Sequence, residues 1–176
     1  MKKSTTRDLV LTALFAALTA VLSQIQLPIG PVPFNLAVLG AFLAGMLLPP
    51  AWAAASMGVY IFMGLVGIPV FAGFTGGPAI LFGKTGGYIL GYVCIALCTA
   101  LAVKFTKNPV LIGLAMALGL AVCYTLGTAW FMVITGAGFA QSLAWCVTPF
   151  VLPDIAKGVC AYVVGKLVKA RLVKAH

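Results

Sequence analysis

The chain has 176 residues, of which 63% are hydrophobic and 7% are charged, and its formal net charge is +9 at pH 7. A soluble domain has about a quarter of its residues charged, so this composition excludes an ordinary soluble protein and indicates one that crosses a membrane several times. The basic residues stand at the ends of apolar segments, as a membrane topology signal does, which argues against nucleic acid as a partner.

Apolar runs separated by prolines, glycines and charges predict six transmembrane helices. In chain order they cover residues 7–26, 34–48, 51–68, 87–103, 109–133 and 149–170. At roughly 20 apolar residues per span there is no room for a soluble domain, so residues 1–176 are expected to form one all-α integral-membrane domain. The long connections are a glycine-rich loop over 68–86 and a segment over 134–148.

The distribution of lysine and arginine predicts the orientation of these helices. An even number of helices places both termini and the basic turn at Lys104 and Lys107 on one side, which is expected to be the cytoplasm. Lys84, in the glycine-rich loop, then lies outside, and Lys157 is left within the last span.

The first helix carries a stripe of alanines at helical spacing. Small residues three and four positions apart allow a second helix to approach closely in a membrane. The stripe therefore predicts helix packing, either within the chain or against a partner. It consists of Ala13, Ala16, Ala17 and Ala20.

The apolar first half of the last helix contains two charges, Asp154 and Lys157. A charged side chain within a membrane helix costs about 2.5 to 3.5 kcal/mol by insertion scales unless it faces a cavity or a partner. The i, i+3 spacing puts both on one face, and Pro153 is expected in the first turn, with Asp154 at the positive end of the helix dipole. The two charges either satisfy each other or form a small-molecule site open to the outside.

The glycine-rich loop has the composition of a cover over a ligand, because glycines permit close backbone approach and leave amides exposed. Its end, Gly83-Lys84-Thr85, is similar to the end of a phosphate-binding P-loop, but Pro78 stands where that motif needs glycine. We therefore expect no nucleotide there.

The sequence offers no nucleophile with a neighbouring base, and the five cysteines lie in apolar runs without a C-x-x-C motif or a nearby histidine. Catalytic residues, a metal site and a cofactor are therefore not predicted. Binding or transport is favoured by elimination.

Four segments, in this order, resemble those of the BioY family, the biotin-specific substrate-capture subunits (S components) of energy-coupling factor (ECF) transporters. The segments are Gly30-Pro31-Val32-Pro33-Phe34-Asn35-Leu36 with Leu43-Ala44-Gly45, Tyr60 to Phe71, Thr85-Gly86-Gly87-Tyr88, and Pro149 to Lys157. The resemblance extends over nearly the whole chain.

The resemblance implies a six-helix protein of a prokaryotic cell membrane that captures biotin from outside. It also implies docking on one transmembrane coupling subunit and two ATPase subunits, so that ATP hydrolysis would lie in partner chains. In that family the aspartate and lysine of the last helix belong to the biotin site and the alanines of the first helix contact the coupling subunit. These roles transfer to Asp154, Lys157 and the alanine stripe.

The resemblance also suggests a pose for biotin. Asp154 would accept from the ureido N–H groups and Lys157 would donate to the ureido oxygen, while the reverse pose puts Lys157 on the carboxylate. Phe71 and Tyr88 would wall the thiophane ring. The carboxylate would be received by loop groups: Gly73, Gly76, Gly77, Lys84, Thr85 and Gly86.

One departure concerns the start of the second helix. Many relatives have threonine and glutamine where this chain has Asn35 and Ala37. Asn35 is therefore a candidate to replace the missing polar contact.

Two other functions remain open. A stand-alone secondary transporter of biotin or another small vitamin would couple uptake to protons through Asp154, although no inverted repeat is visible. An intramembrane enzyme would use Asp154 and Lys157 as an acid–base pair, which the scarcity of further polar groups argues against.

Overall fold

The structure is a computed structural model that describes residues 4–27 and 32–174. In this part of the chain, helices account for most residues and one short antiparallel sheet is present. The elements are α1 (Ser4–Gln24), β1 (Gln26–Leu27), β2 (Phe34–Asn35), α2 (Ala37–Leu47), α3 (Pro50–Leu65), α4 (Pro78–Leu81), α5 (Gly86–Phe105), α6 (Pro109–Thr135), α7 (Phe139–Cys146) and α8 (Thr148–Lys174).

A helix lies in each of the six predicted ranges, but the first three ranges extend beyond the ends of their helices. Gln26, predicted as helical, pairs with Asn35 across the antiparallel β1–β2 ladder, and Leu27 pairs with Phe34. Apolar patterning could not separate these short strands from the helices beside them. Part of the motif that precedes the second helix, residues 28–31, lies outside the described residues.

The lengths of the helices support fewer membrane spans than six. Helices of spanning length and hydropathy cover Thr6–Gln24, Gly86–Phe105 and Pro109–Thr135, and α7 with α8 adds a fourth if this pair, bent by 41°, is one span. With 11 and 16 residues, α2 and α3 are only about 16 and 24 Å long, whereas a bilayer core is about 30 Å thick. The six-span topology and the cytoplasmic termini therefore remain predictions.

The segment 134–148, predicted as a connection, contains α7, and α8 begins immediately after the break at Val147. As a result, the proline in the first turn of α8 is Pro149, and Pro153 lies inside the helix. The expectation that Asp154 interacts with the helix dipole in the first turn is wrong, since no acidic residue lies there. Asp154 is balanced by side chains instead, as described below.

Close packing of α5 on α6 forms one side of the bundle. A side chain at Gly87 would meet Trp130, and one at Gly91 would overlap Cys123, so both glycines face α6. From the other helix, Gly127 receives the ring of Tyr88. The glycines of this pair of helices thus bring Tyr88 into the interior, where it borders the site.

At the centre, α2 packs against α1, α5 and α8. Most of its residues are buried, including Phe42 and Met46, and Gly165 of α8 lies directly against Met46. This helix therefore has apolar neighbours on several sides. Strand β2 ends at Asn35, just before the N-terminal end of α2, and Asn35 contacts α8.

Candidate functional site

Asp154 and Lys157 form a buried ion pair near the start of α8. The Lys157 Nζ donates to Asp154 Oδ1 at 2.6 Å, and the two residues are 6% and 3% exposed. Lys157 Nζ also donates to the backbone carbonyl of Asn35 at 2.7 Å. The pair thereby fastens α8 to the strand that precedes α2.

Two aromatic residues that the sequence did not single out complete the environment of this pair. Tyr124 of α6 donates its hydroxyl to Asp154 Oδ2 at 2.6 Å. The ring of Phe34 lies 3.9 Å from Lys157 Nζ and stacks on Phe150, with ring centroids 6.3 Å apart. Both ions are therefore satisfied when the site is empty, by hydrogen bonds and by a cation–π contact.

A cavity of about 220 Å³ lies beside the pair, somewhat smaller than the roughly 300 to 1,000 Å³ usual for ligand pockets. Its walls are largely aromatic, since Tyr60, Phe71, Tyr88 and Tyr92 all line it. The rings of Tyr60 and Phe71 meet edge to face at 5.5 Å between centroids. Its size suits one small ligand with an apolar body.

A second, smaller cavity of about 40 Å³ contains the ion pair. Asp154 and Lys157 line it, and it shares Asn35, Tyr88 and Tyr92 with the larger cavity. The two spaces are therefore neighbours, and the ion pair stands at the deep end of the combined site. At the other end the exposed Lys84 and the half-buried Thr85 line the larger cavity.

Seven of the predicted site residues line one cavity or the other: Asn35, Phe71, Lys84, Thr85, Tyr88, Asp154 and Lys157. The four predicted glycines do not, namely Gly73, Gly76, Gly77 and Gly86. Tyr60, Tyr92 and Tyr124 were not among the predicted site residues, although Tyr60 begins one of the four family-like segments. For Tyr92 and Tyr124 the signal was a tyrosine within an apolar run. A tyrosine in such a run is equally typical of a packed core, so that signal alone could not have identified the site.

The glycine-rich loop uses several of its amides within the protein. The N–H of Gly77 donates to the carbonyl of Gly64, that of Thr75 to Phe71, and that of Gly86 to Gly83. These N–H groups are therefore not free to receive a carboxylate, which corrects the predicted role of the amides of Gly77 and Gly86. Gly77 is needed for its backbone conformation, with φ of 96°.

The end of α1 holds the loop in place. Gln24 donates through Nε2 to the carbonyls of Val70 and Phe71, both at 3.2 Å, and accepts from the N–H of Phe74 at 2.8 Å. Ser23 adds a hydrogen bond to the carbonyl of Val70. The wall residue Phe71 is therefore positioned from two sides, by α1 and by Tyr60.

Asn35 is partly occupied by its own backbone. Its Oδ1 accepts from the N–H of Ala37 at 3.0 Å, which caps the start of α2, while its carbonyl accepts from Lys157. Its side-chain amide nitrogen is the group left to meet a ligand. Ala37 is fully buried, and its methyl side chain adds no hydrogen-bonding group to the site.

The alanine stripe of α1 divides between two environments. Ala13 and Ala17 are exposed, Ala20 is half-buried, and Ala16 is 1% exposed. Ala16 therefore packs inside the bundle, where a partner chain would not reach it. An interface at the other three alanines stays a prediction.

The site thus has hydrogen-bonding ions at its deep end, aromatic walls and an ammonium group at its rim. Within residues 4–27 and 32–174, no group of three His, Cys, Asp or Glu side chains could hold a metal ion. The arrangement suits non-covalent binding of a small molecule with a polar head, an apolar middle and an anionic end.

Comparison with known proteins gives consistent matches. The sequence model of the BioY family matches residues 1–174. A protein of Pyrococcus horikoshii named "Probable biotin transporter BioY" is 38% identical over 160 residues, which cover 91% of this chain and 94% of that protein. The "Biotin transporter BioY" of Thermotoga maritima is 32% identical over 168 residues, 96% of each chain.

Among solved structures, the crystal structure of the S-component for biotin from an ECF-type ABC transporter superposes with a TM-score of 0.88 and 24% sequence identity. The match covers 97% of this chain and 94% of that one. This likeness establishes that the two chains share a fold.

Proposed function

This chain belongs to the BioY family, and from that membership we propose that it binds biotin and carries it into the cell as the substrate-binding subunit of an ATP-driven ECF transporter. Two relatives that it matches over most of their length are named "Probable biotin transporter BioY" and "Biotin transporter BioY". We place it in the cell membrane of a prokaryote, with biotin entering from the outer side.

The observation that carries the proposal is the match between the site and the three parts of biotin. Biotin has a ureido head with two N–H donors and one carbonyl acceptor, an apolar thiophane ring, and a valerate chain ending in a carboxylate. The site has an ion pair at its deep end, aromatic walls, and Lys84 at its rim. A ligand with this order of groups is accommodated without an unpaired charge.

The proposed pose places the ureido head at the ion pair. Asp154 has two oxygens with about four acceptor positions, of which Tyr124 and Lys157 occupy two, so it can still accept from ureido N–H. Lys157 has three donors and uses two, so the third can reach the ureido oxygen. The thiophane ring then lies between Phe71 and Tyr88, and the carboxylate reaches Lys84 and Thr85.

The proposed coupling to ATP hydrolysis involves partner chains. The exposed alanines Ala13 and Ala17 leave room for a helix of a transmembrane coupling subunit, which would be joined to two ATPase subunits. The many exposed apolar side chains on the outside of the bundle supply the surface for such an assembly within the membrane.

Calorimetric titration with biotin and with biotin amide, which lacks the negative charge, tests both the function and the pose. In the wild type, the amide is expected to bind about tenfold more weakly, because a hydrogen bond to a charged group is lost. In Lys84→Ala that difference is expected to vanish, because the carboxylate has no ammonium partner to lose.

Lys157→Ala serves as the opposing variant, and Lys107→Ala, an exposed lysine in the turn after α5, as the control. If the amide penalty vanishes in Lys157→Ala and persists in Lys84→Ala, the pose is reversed. If purified wild-type protein gives no binding heat with micromolar biotin, the proposed function itself is wrong.

A further inference from the structure

A cavity at the other end of the bundle has no part in the site described above. It has a volume of about 410 Å³ and is lined by Lys104 of α5 and Lys169 of α8. Lys104 lies 18 residues beyond Gly86 on α5, and Lys169 lies 15 residues beyond Asp154 on α8. At 1.5 Å per helical residue these separations are about 27 and 22 Å, close to the thickness of a bilayer core.

The walls between the two lysines are apolar. They are formed by the turn between α2 and α3 and by one face of α5: Leu47, Leu48, Pro49, Pro50, Ala100 and Val103. The two prolines have no N–H, so the turn offers no donors and the lysines are the cationic donors of the cavity. An anion there would be held by ammonium groups above an apolar floor.

Neither lysine is neutralised by a carboxylate. Over residues 4–27 and 32–174 the one ion pair is that between Lys157 and Asp154. Lys169 is half-buried and Lys104 is exposed, with its Nζ 5.2 Å from the ring centroid of Phe105. Phe105 is itself 76% exposed, and a lysine at the end of an apolar helix is typical of the membrane interface.

We propose that this cavity binds the phosphodiester head group of an anionic phospholipid, with Lys104 and Lys169 holding the phosphate and the apolar walls receiving the glycerol and the upper acyl chains. Basic pockets between transmembrane helices select anionic head groups in this way, since a lysine near the membrane surface contributes roughly a fivefold gain in affinity. The site is separate from biotin binding and does not depend on it.

The test compares two double variants with the same loss of charge. Lys104→Gln/Lys169→Gln removes both cations from the cavity. Lys107→Gln/Lys166→Gln removes two lysines from the same end that do not line it. Retention of phosphatidylglycerol and of phosphatidylcholine with matched acyl chains is measured by native mass spectrometry of the detergent-solubilised protein, with biotin titration as the check that each variant is folded.

The wild type and the control variant are expected to retain phosphatidylglycerol in preference to phosphatidylcholine, and the cavity variant to lose that preference by roughly 25-fold, fivefold for each lysine. Equal losses in both double variants, or no preference in the wild type, would overturn the proposal.

Two further outcomes would assign the cavity to another occupant. If glycerol phosphate or inorganic phosphate protects the wild type from thermal unfolding as well as phosphatidylglycerol does, the site takes a soluble anion. If the cavity variant keeps its lipid preference but loses binding to a coupling subunit, the surface belongs to a protein partner. Either result contradicts the lipid proposal.

Discussion

Asp154 and Lys157 can be stable when empty and still bind a ligand, because each keeps unused hydrogen-bonding capacity. Burial makes the pair mutually dependent: removal of one partner from a buried ion pair costs about 3 to 5 kcal/mol, chiefly because the other charge is left uncompensated. Tyr124 and the Asn35 carbonyl reduce that dependence by giving each ion a second partner. The choice between a structural pair and a ligand site is therefore not exclusive.

Tyr124→Phe isolates the contribution of the second partner without changing the charge. The variant removes a hydrogen bond to a carboxylate, so we expect the free energy of unfolding to fall by about 1.5 to 3 kcal/mol, measured as a lower Tm in detergent. Tyr162→Phe is the matched control, because the Tyr162 hydroxyl is buried without a hydrogen-bond partner and its loss is expected to be neutral or stabilising. Equal destabilisation by the two variants would show that the bond to Asp154 contributes little.

Some residues of the site could be predicted from the sequence, and others could not. Asp154 and Lys157 were recognisable because a charge in an apolar helix requires a reason, whereas Tyr124, Tyr60 and Tyr92 look like ordinary core aromatics in the sequence. Their role depends on which helices meet, and one-dimensional spacing does not contain that information. Two of the four loop glycines illustrate the opposite case: composition suggested ligand contact for Gly77 and Gly86, whereas their N–H groups donate within the fold.

At the scale of elements, hydrogen bonds join the end of α1 to the glycine-rich loop. Gln24 and Ser23 stand at the end of α1 and bind the loop at Val70, Phe71 and Phe74. The same helix carries the exposed Ala13 and Ala17 nearer its start. A partner that tilts α1 would therefore move the loop that walls the cavity.

Gln24→Ala tests this connection. The variant removes three hydrogen bonds between α1 and the loop, so we expect biotin to dissociate about tenfold faster and the Phe74 amide to exchange its hydrogen faster. The control is Gln141→Ala, the same change at an exposed position of α7. Unchanged dissociation together with faster exchange would mean that the loop is tethered but does not retain the ligand.

Element positions were more predictable than element ends. Long apolar runs located six helices because each must bury a continuous apolar surface, but α7 was missed since Gly136 and Gly138 punctuate the segment before it as they would a loop. The strands β1 and β2 have two residues each, too few to show alternation. Pro153 was misplaced because Pro149 also fits a first turn and the sequence does not say which proline begins the helix.

For the whole molecule, the alanine stripe divides between the interior of the bundle and its outer surface. Ala16 is buried in the bundle, whereas Ala13 and Ala17 lie on the outer side of α1, a helix that packs internally on α2 and α3. Bulky exposed neighbours, among them Leu14 and Val21, flank this side. The outer pair forms a shallow groove in an apolar face, which is the shape that a small-residue contact between membrane helices requires.

Ala17→Leu is expected to leave biotin affinity unchanged and to abolish most co-purification with the coupling subunit, because a larger side chain fills the groove into which a partner helix would fit. Ala121→Leu is the matched control, since Ala121 is also an exposed alanine, on α6.

Uptake of labelled biotin into vesicles containing the coupling and ATPase subunits should fall about tenfold or more for Ala17→Leu and stay at the wild-type level for the control. If vesicles without ATPase subunits accumulate biotin and a protonophore abolishes this uptake, the protein is a secondary transporter. If Ala17→Leu still co-purifies with the coupling subunit, α1 is not part of the interface.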